Sequence, residues 1–359
     1  MRILIFRTGQ LGDTLVALPS LYAIRSNFPY ASITLLYDRH VEQQYVVSRT
    51  LLEATGTIDG FIEYKIETGK GICTRIRNSM DAWRRVRQGK FDRIFQMSVA
   101  QRTWRQVLRD SLFFRSAGIK TVSSADQFRR ASQDGSPNFD KLVLHEADFY
   151  LRWLASEGLV VPGAGEGRME LSILAEEIDR AESSLRGIDV SKPLVAVCAG
   201  SKDPVKVWPI ERFQNLAHAL RSKLNCELVM MGDQNDYQIS QLILDAAGGG
   251  LNLCGKTSPR ESAAVLKKCR LYVGNDTGCM HLAAAVGIPC VAIFSSRDVP
   301  GKWYPYGKNH RVFRTQIACQ GCMFKKCEAL NMECIKRIAV AEVYQSTAEV
   351  LCNKETLKL

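Results

Sequence analysis

No stretch of the 359 residues stays apolar for the roughly 18–20 positions that a bilayer-spanning helix needs. The start carries one arginine and then a strand-like run with no small-residue cleavage site, so no secretory signal is read there. There is no Asp-x-Asp, the carboxylate pair that would clamp a metal onto a diphosphate, so no catalytic metal is expected. Gly9-Gln10-Leu11-Gly12 is not Gly-x-Gly-x-x-Gly, which argues against a nucleotide-binding Rossmann oxidoreductase. Low-complexity tracts, repeats and nucleic-acid motifs are absent too. What these absences leave is a cytoplasmic globular chain long enough for about two domains.

Charge of one sign is plentiful. The net charge is +11, concentrated in RIRNSMDAWRRVRQGKFDR (75–93) and QRTWRQVLRD (101–110), where tryptophans interleave with arginines. Such segments are either solvated helix faces or surfaces for phosphate-bearing partners, such as anionic membrane lipid or an acidic lipid-like substrate. Nucleic acid is not expected. Cysteine is plentiful as well. Eight of the twelve are scattered, several in apolar runs, as in a reduced intracellular protein. Cys319, Cys322, Cys327 and Cys334 instead form C-x2-C-x4-C-x6-C in a polar stretch. That spacing reads either as four unrelated thiols or, preferably, as a closed structural site for Zn or Fe.

Apolar runs alternate with helical patterns. Strands are expected at 3–6, 32–38, 58–64 and 93–99, with helices near 13–27, 41–54 and 141–159. A Gly- and Pro-rich stretch, 160–167, follows as a linker. The alternation then restarts with strands at 193–200, 226–232, 270–276 and 289–295 and helices at 208–224, 258–269 and 277–287. Two such runs imply two doubly wound α/β domains, with ligands at the carboxyl ends of their strands.

Three strand ends carry candidate chemistry. In MRILIFRTGQLGDTLVALP, Asp13 follows a strand and a glycine turn, where it is either a helix cap or a ligand-facing carboxylate. In LYVGNDTGCMHLAAAVG, Asp276, Thr277, Gly278 and His281 surround a helix start, a cradle for a diphosphate. In AGSKDPVKVWP, Ser201 and Lys206 occupy the loop after a strand, and in MGDQND, Asp236 stands where it can accept ribose hydroxyls.

RTGQLGDTLVALPSLYAIRSNFP, the K-x-W-P of Lys206–Pro209, the D-T-G-x-x-H of VGNDTGCMHLAAAVGIPCVAIF and Tyr306-Gly307 together resemble glycosyltransferase family 9, the lipopolysaccharide heptosyltransferases. The resemblance implies a GT-B fold, two Rossmann-like domains facing across a cleft. Residues 1–165 would be the acceptor domain, 166–339 the nucleotide-sugar domain with the Cys cluster at 319–334, and 340–359 a last helix crossing back to the first domain. It implies Asp13 as general base on a loop with Gly9 and Gly12. Ser201, Lys206, Asp236, Asp276, Thr277, Gly278 and His281 would bind an ADP-sugar donor. The expected activity is an inverting transfer of heptose, or a similar sugar, to a hydroxyl of a glycolipid or glycan. A protein acceptor is the alternative within that chemistry. The expected location is cytoplasmic, peripheral to the inner membrane.

Overall fold

Ile3, Leu4 and Ile5 are all fully buried, so the first strand must be covered on both faces, as in a parallel sheet wrapped by helices. The computed structural model describes residues 1–42, 46–67, 69–97, 103–132, 144–327 and 330–352. The chain divides into two compact units, 1–138 with 146–169, and 139–145 with 170–359.

The first unit runs β1 (Arg2–Arg7), α1 (Leu11–Val16), α2 (Leu18–Asn27), β2 (Ser32–His40), α3 (Ser48–Leu52), β3 (Gly60–Ile66) and α4 (Ile72–Gly89). It continues with β4 (Arg93–Met97), α5 (Trp104–Ser116), β5 (Thr121–Ser124), α6 (Ala125–Ser132) and α7 (Glu146–Ser156). The sheet order is β3-β2-β1-β4-β5, every pair parallel, with Ile3 opposite Ile33 on one side and Arg93 on the other. The order reverses between β1 and β4, so the loop after β1 lies at the switch point where doubly wound sheets bind ligands.

The second unit runs α8 (Ala175–Ser184), β6 (Leu194–Cys198), α9 (Ile210–Leu224), β7 (Glu227–Met230), α10 (Tyr237–Ala247), β8 (Leu251–Asn252) and α11 (Pro259–Lys268). Then come β9 (Leu271–Asn275), α12 (Gly278–Ala285), β10 (Cys290–Phe294), β11 (Arg311–Arg314), α13 (Glu333–Lys336) and α14 (Val340–Cys352). Its sheet, β11-β10-β9-β6-β7-β8, is again parallel and reverses between β6 and β9.

Several expected elements differ in extent. The helix expected over 13–27 is two helices, because Pro19 restarts the helix in its first turn after Ala17. Of the helix expected over 41–54 only Ser48–Leu52 is helical, and 43–45 lie outside the described residues. Residues 98–99 of the fourth strand and 141–143 of the long helix also lie outside them. The break between units in the chain comes at Met169–Glu170 rather than 165. The last helix was expected to cross back to the first domain. α14 belongs to the second unit, where Val343, Val350 and Leu351 pack into its core beside α9, β9 and β10. The reason is an apolar stripe that α9 and the sheet already bury. No helix among the described residues is long and apolar enough to cross a membrane.

Candidate active site

In the first unit, β1 ends on a buried cation. Arg7 is 1% exposed; its Nη1 donates to the Met97 carbonyl (2.8 Å) and to the Tyr150 hydroxyl (2.6 Å), and its Nη2 holds the Asp13 carbonyl. The guanidinium also lies 5.2 Å from the Tyr150 ring centre. Gly9 takes φ +129°, and a Cβ there would stand 2.6 Å from the Asp13 Cβ. Only glycine therefore lets the turn close over Asp13. The Asp13 Oδ2 accepts the Gln10 N–H at 2.9 Å, so the cap is real. Burial pushes the Asp13 carboxyl above its ordinary value, while Arg7 and the Gln10 N–H pull down against it and Glu146 and Asp38 push up. A carboxylate made more basic by its setting suits a proton acceptor, and capping does not exclude that use. Gly12 lies within α1.

In the second unit, the ends of β6 and β9 bring most of the candidate donor residues together. Lys206 closes a short 3-10 turn, Pro204–Lys206, and its Nζ lies 2.6 Å from the Asp276 Oδ2 and 3.9 Å from the Asp298 Oδ2. Burial would lower the ammonium's pKa, but Asp276 outweighs it and holds Lys206 charged. Burial pushes the Asp276 carboxyl up, partly offset by Lys206. Ser201 Oγ accepts the Asp203 N–H at 3.3 Å and so shapes the loop. Asp236 caps its own short turn through the Asp233 N–H (3.0 Å). It also presses on two strand-end glycines: a Cβ on Gly200 would lie 1.8 Å, and on Gly232 2.5 Å, from its carboxyl oxygens. Those glycines let Asp236 stand beside the β6 loop.

Thr277 occupies the N-cap of α12 without a side-chain capping bond, its hydroxyl 3.7 Å from the Cys198 sulfur. The first-turn amides of α12, starting at Gly278, therefore lack that usual partner. His281, in the same turn, is buried, and its Nδ1 has no hydrogen-bond partner among the described residues. Burial, and then the charges of His145 and Lys206, push its imidazole down to about 3, so it is neutral. A helix N-terminus, an ammonium and an unpartnered buried imidazole make a receptor for an anionic ligand with hydroxyls.

Sequence reasoning missed the framework of this site. Asn275, fully buried, donates to the Ala199 carbonyl (2.7 Å) and accepts the Trp208 N–H (3.1 Å), tying β9 to the loops either side of Lys206. Arg297 pairs with Asp203 and lies 3.7 Å from Asp298. A polar residue closing an otherwise apolar strand is the one signal that could have marked Asn275 or Arg7.

The four clustered cysteines are neighbours without forming a closed site. Among the described residues no group of three or more His, Cys, Asp or Glu side chains stands close enough to hold a metal ion. Burial, then Cys322, Cys334 and Cys327, push up the Cys319 thiol, so all three partners lie within electrostatic reach of it. The segment's backbone braces the site: Gly321 N–H donates to Ser296, Met323 N–H to Arg297, and Lys325 C=O accepts from Val205.

Residues 80–333 match the family model of glycosyltransferase family 9 (heptosyltransferase). The chain belongs to that family. It is 30% identical over 148 residues to lipopolysaccharide heptosyltransferase 2 of Salmonella typhimurium, covering 38% of this chain and 42% of that relative. Among solved structures it resembles a family 9 glycosyl transferase from Veillonella parvula (TM-score 0.75, 21% identity, 98% of this chain and 97% of that one). It also resembles the E. coli ADP-heptose lps heptosyltransferase II (TM-score 0.70, 18% identity, 99% and 100%). These likenesses, with the two parallel sheets, establish the two-domain α/β GT-B fold. The matched span contains every candidate donor residue described above, while Gly9, Gly12 and Asp13 lie before it.

Proposed function

We propose that the chain is an inverting glycosyltransferase that moves a heptose from an ADP-sugar to a hydroxyl of a lipopolysaccharide-type glycolipid. The observation carrying this reading is the receptor at the ends of β6 and β9, where Lys206, the α12 amides and His281 converge within the family 9 span. In one displacement the acceptor oxygen bonds to the anomeric carbon and the bond from that carbon to the diphosphate breaks. The acceptor proton passes to the Asp13 carboxylate, and ADP departs with its charge met by Lys206 and the helix amides. A single displacement inverts the anomeric centre. Asp276, drawn by the ligand away from Lys206, faces the sugar, and Asp236 accepts ribose hydroxyls. A glycolipid hydroxyl is presented at a membrane surface, so the enzyme works there without spanning it. A thermal-shift panel of ADP-, GDP-, UDP- and dTDP-sugars tests the donor, since ligand at ~100 Kd adds about 2.7 kcal/mol of stability. ADP-heptose should stand out and give a product of inverted configuration with a heptose-deficient lipopolysaccharide. A preference for another nucleotide, or retained configuration, would overturn the reading.

The second part of the proposal concerns Cys319, Cys322, Cys327 and Cys334, which we assign to one structural Zn or Fe ion. The all-sulfur donor set and its C-x2-C-x4-C-x6-C spacing support this reading. Among the described residues the four thiols do not stand close enough to hold an ion, so binding would require them to move together. When bound, the metal supplies a cross-link and no chemistry. Its effect would pass through the backbone bonds to Ser296, Arg297 and Val205 into the loop that holds Lys206.

A further inference from the structure

A helix on the surface of a doubly wound domain normally turns its apolar stripe inward and a polar face to water. α4 and α5 break that rule on their outer sides. Inward, Ala82 and Val86 of α4 and Val107 and Phe114 of α5 are buried, and Val86 and Phe114 share one core with Leu4 and Phe6 of β1. The two helices thus cover the same face of the sheet. They are neighbours, joined where the Trp83 indole N–H donates to the Ser116 hydroxyl at 3.0 Å.

Outward, α4 presents Ile72, Ile76 and Met80, 71%, 52% and 49% exposed, and α5 presents Trp104, Leu108 and Leu112, 60%, 50% and 58% exposed. Both sets run i, i+4, i+8, so each is a continuous stripe. Six of the sixteen exposed large apolar side chains among the described residues stand on these two stripes of neighbouring helices. Around them α4 carries five arginines against one aspartate and α5 three against one. Those aspartates are matched on their own helices, Asp81 by Arg85 at 2.9 Å and Asp110 by Arg109 at 2.7 Å. Arg77 and Arg84 line the same shallow depression as Ile76 and Met80.

We propose that the outer faces of α4 and α5 dock the protein on an anionic lipid bilayer. The apolar stripes enter the head-group region, and the arginines stay at its level beside lipid phosphates. Charge decides between occupants. A second copy laid on this face would set arginine against arginine, whereas an anionic surface meets both the charge and the apolar area. Nucleic acid would satisfy the arginines but leave Ile72, Ile76, Leu108 and Leu112 in water. The inference stands apart from the transfer reaction, because lipid binding is read without donor or acceptor.

Vesicle flotation of the full chain tests it. The protein should float with phosphatidylglycerol–phosphatidylethanolamine vesicles, not with phosphatidylcholine, and salt should weaken the binding. Ile76→Asp with Leu108→Asp, at exposed positions, should leave the melting curve unchanged and weaken vesicle binding by at least about tenfold. Arg77→Glu with Arg84→Glu should do the same while keeping the apolar stripes, a second route if the first pair perturbs folding. No binding to anionic vesicles, equal binding to phosphatidylcholine, or variants that bind like the parent would overturn the proposal. So would a dimer, seen by light scattering, that the aspartate pair abolishes.

Discussion

At the residue scale, the two readings of Asp13 separate by chemistry. A cap needs only an oxygen that accepts the Gln10 N–H, and Asn supplies one; a base needs a carboxylate. Asp13→Asn should fold and still bind donor, while turnover drops roughly 10²–10⁴-fold. Steady-state kinetics beside a melting curve checks this; normal turnover leaves Asp13 a cap alone. Lys206 is different because its partner is buried. Lys206→Ala leaves Asp276 without its ammonium, so it should cost on the order of 3 kcal/mol of stability as well as donor affinity. Adding Asp276→Asn should recover part of the stability and none of the affinity, a separation that denaturation and ADP titration read independently. His281 gives a pH signature. Its imidazole is depressed to about 3 in the fold, so the unfolded chain binds the proton first. Stability from this group is therefore complete above about pH 6.5 and falls as pH drops toward 3. Between pH 7 and 5 the loss should be about 2 kcal/mol, and His281→Gln should remove that part of the slope in denaturation measured at both pH values.

At the scale of elements, both sites sit where strand order reverses, and glycines set how closely carboxylates approach those strand ends. Gly200 is the sharper case, since any Cβ would overlap the Asp236 carboxylate. Gly200→Ala should leave the sheet intact but drive Asp236 off the β6 loop, weakening ADP binding by about tenfold, the worth of one hydrogen bond to a charged group. Calorimetric titration with ADP reads this; unchanged affinity would remove Asp236 from the donor site. The order and type of β1, β2, β6, β7, β9 and β10 were legible, because each is a buried apolar run bounded by turn residues. α8 and α10 were not placed although both are amphipathic: α8 buries Glu177 and Ala181 on one face, and α10 buries Ser240, Ile243, Leu244 and Ala247.

At the scale of the whole molecule, a metal held by the cysteine segment would couple stability to the candidate donor site. Elemental analysis should find about one metal ion per chain, and Cys322→Ala should lower both the melting temperature and ADP affinity through the strap onto Arg297 and Val205. A metal-free preparation that melts and binds ADP normally would sink the assignment.

The sequence by itself determined the two parallel sheets, the strand ends that carry Asp13, Lys206 and Asp276, and the family, because apolar runs, glycine turns and short motifs are local in the chain. Only the tertiary structure decided how those ends are held. Arg7 reaches Met97 and Tyr150, Asn275 reaches Ala199 and Trp208, and Arg297 reaches Asp203. Each joins segments far apart in the chain, and no local pattern encodes such a partner. The same holds for α14, whose apolar stripe says that it packs but not on what; the face offered by α9 and the sheet settled that.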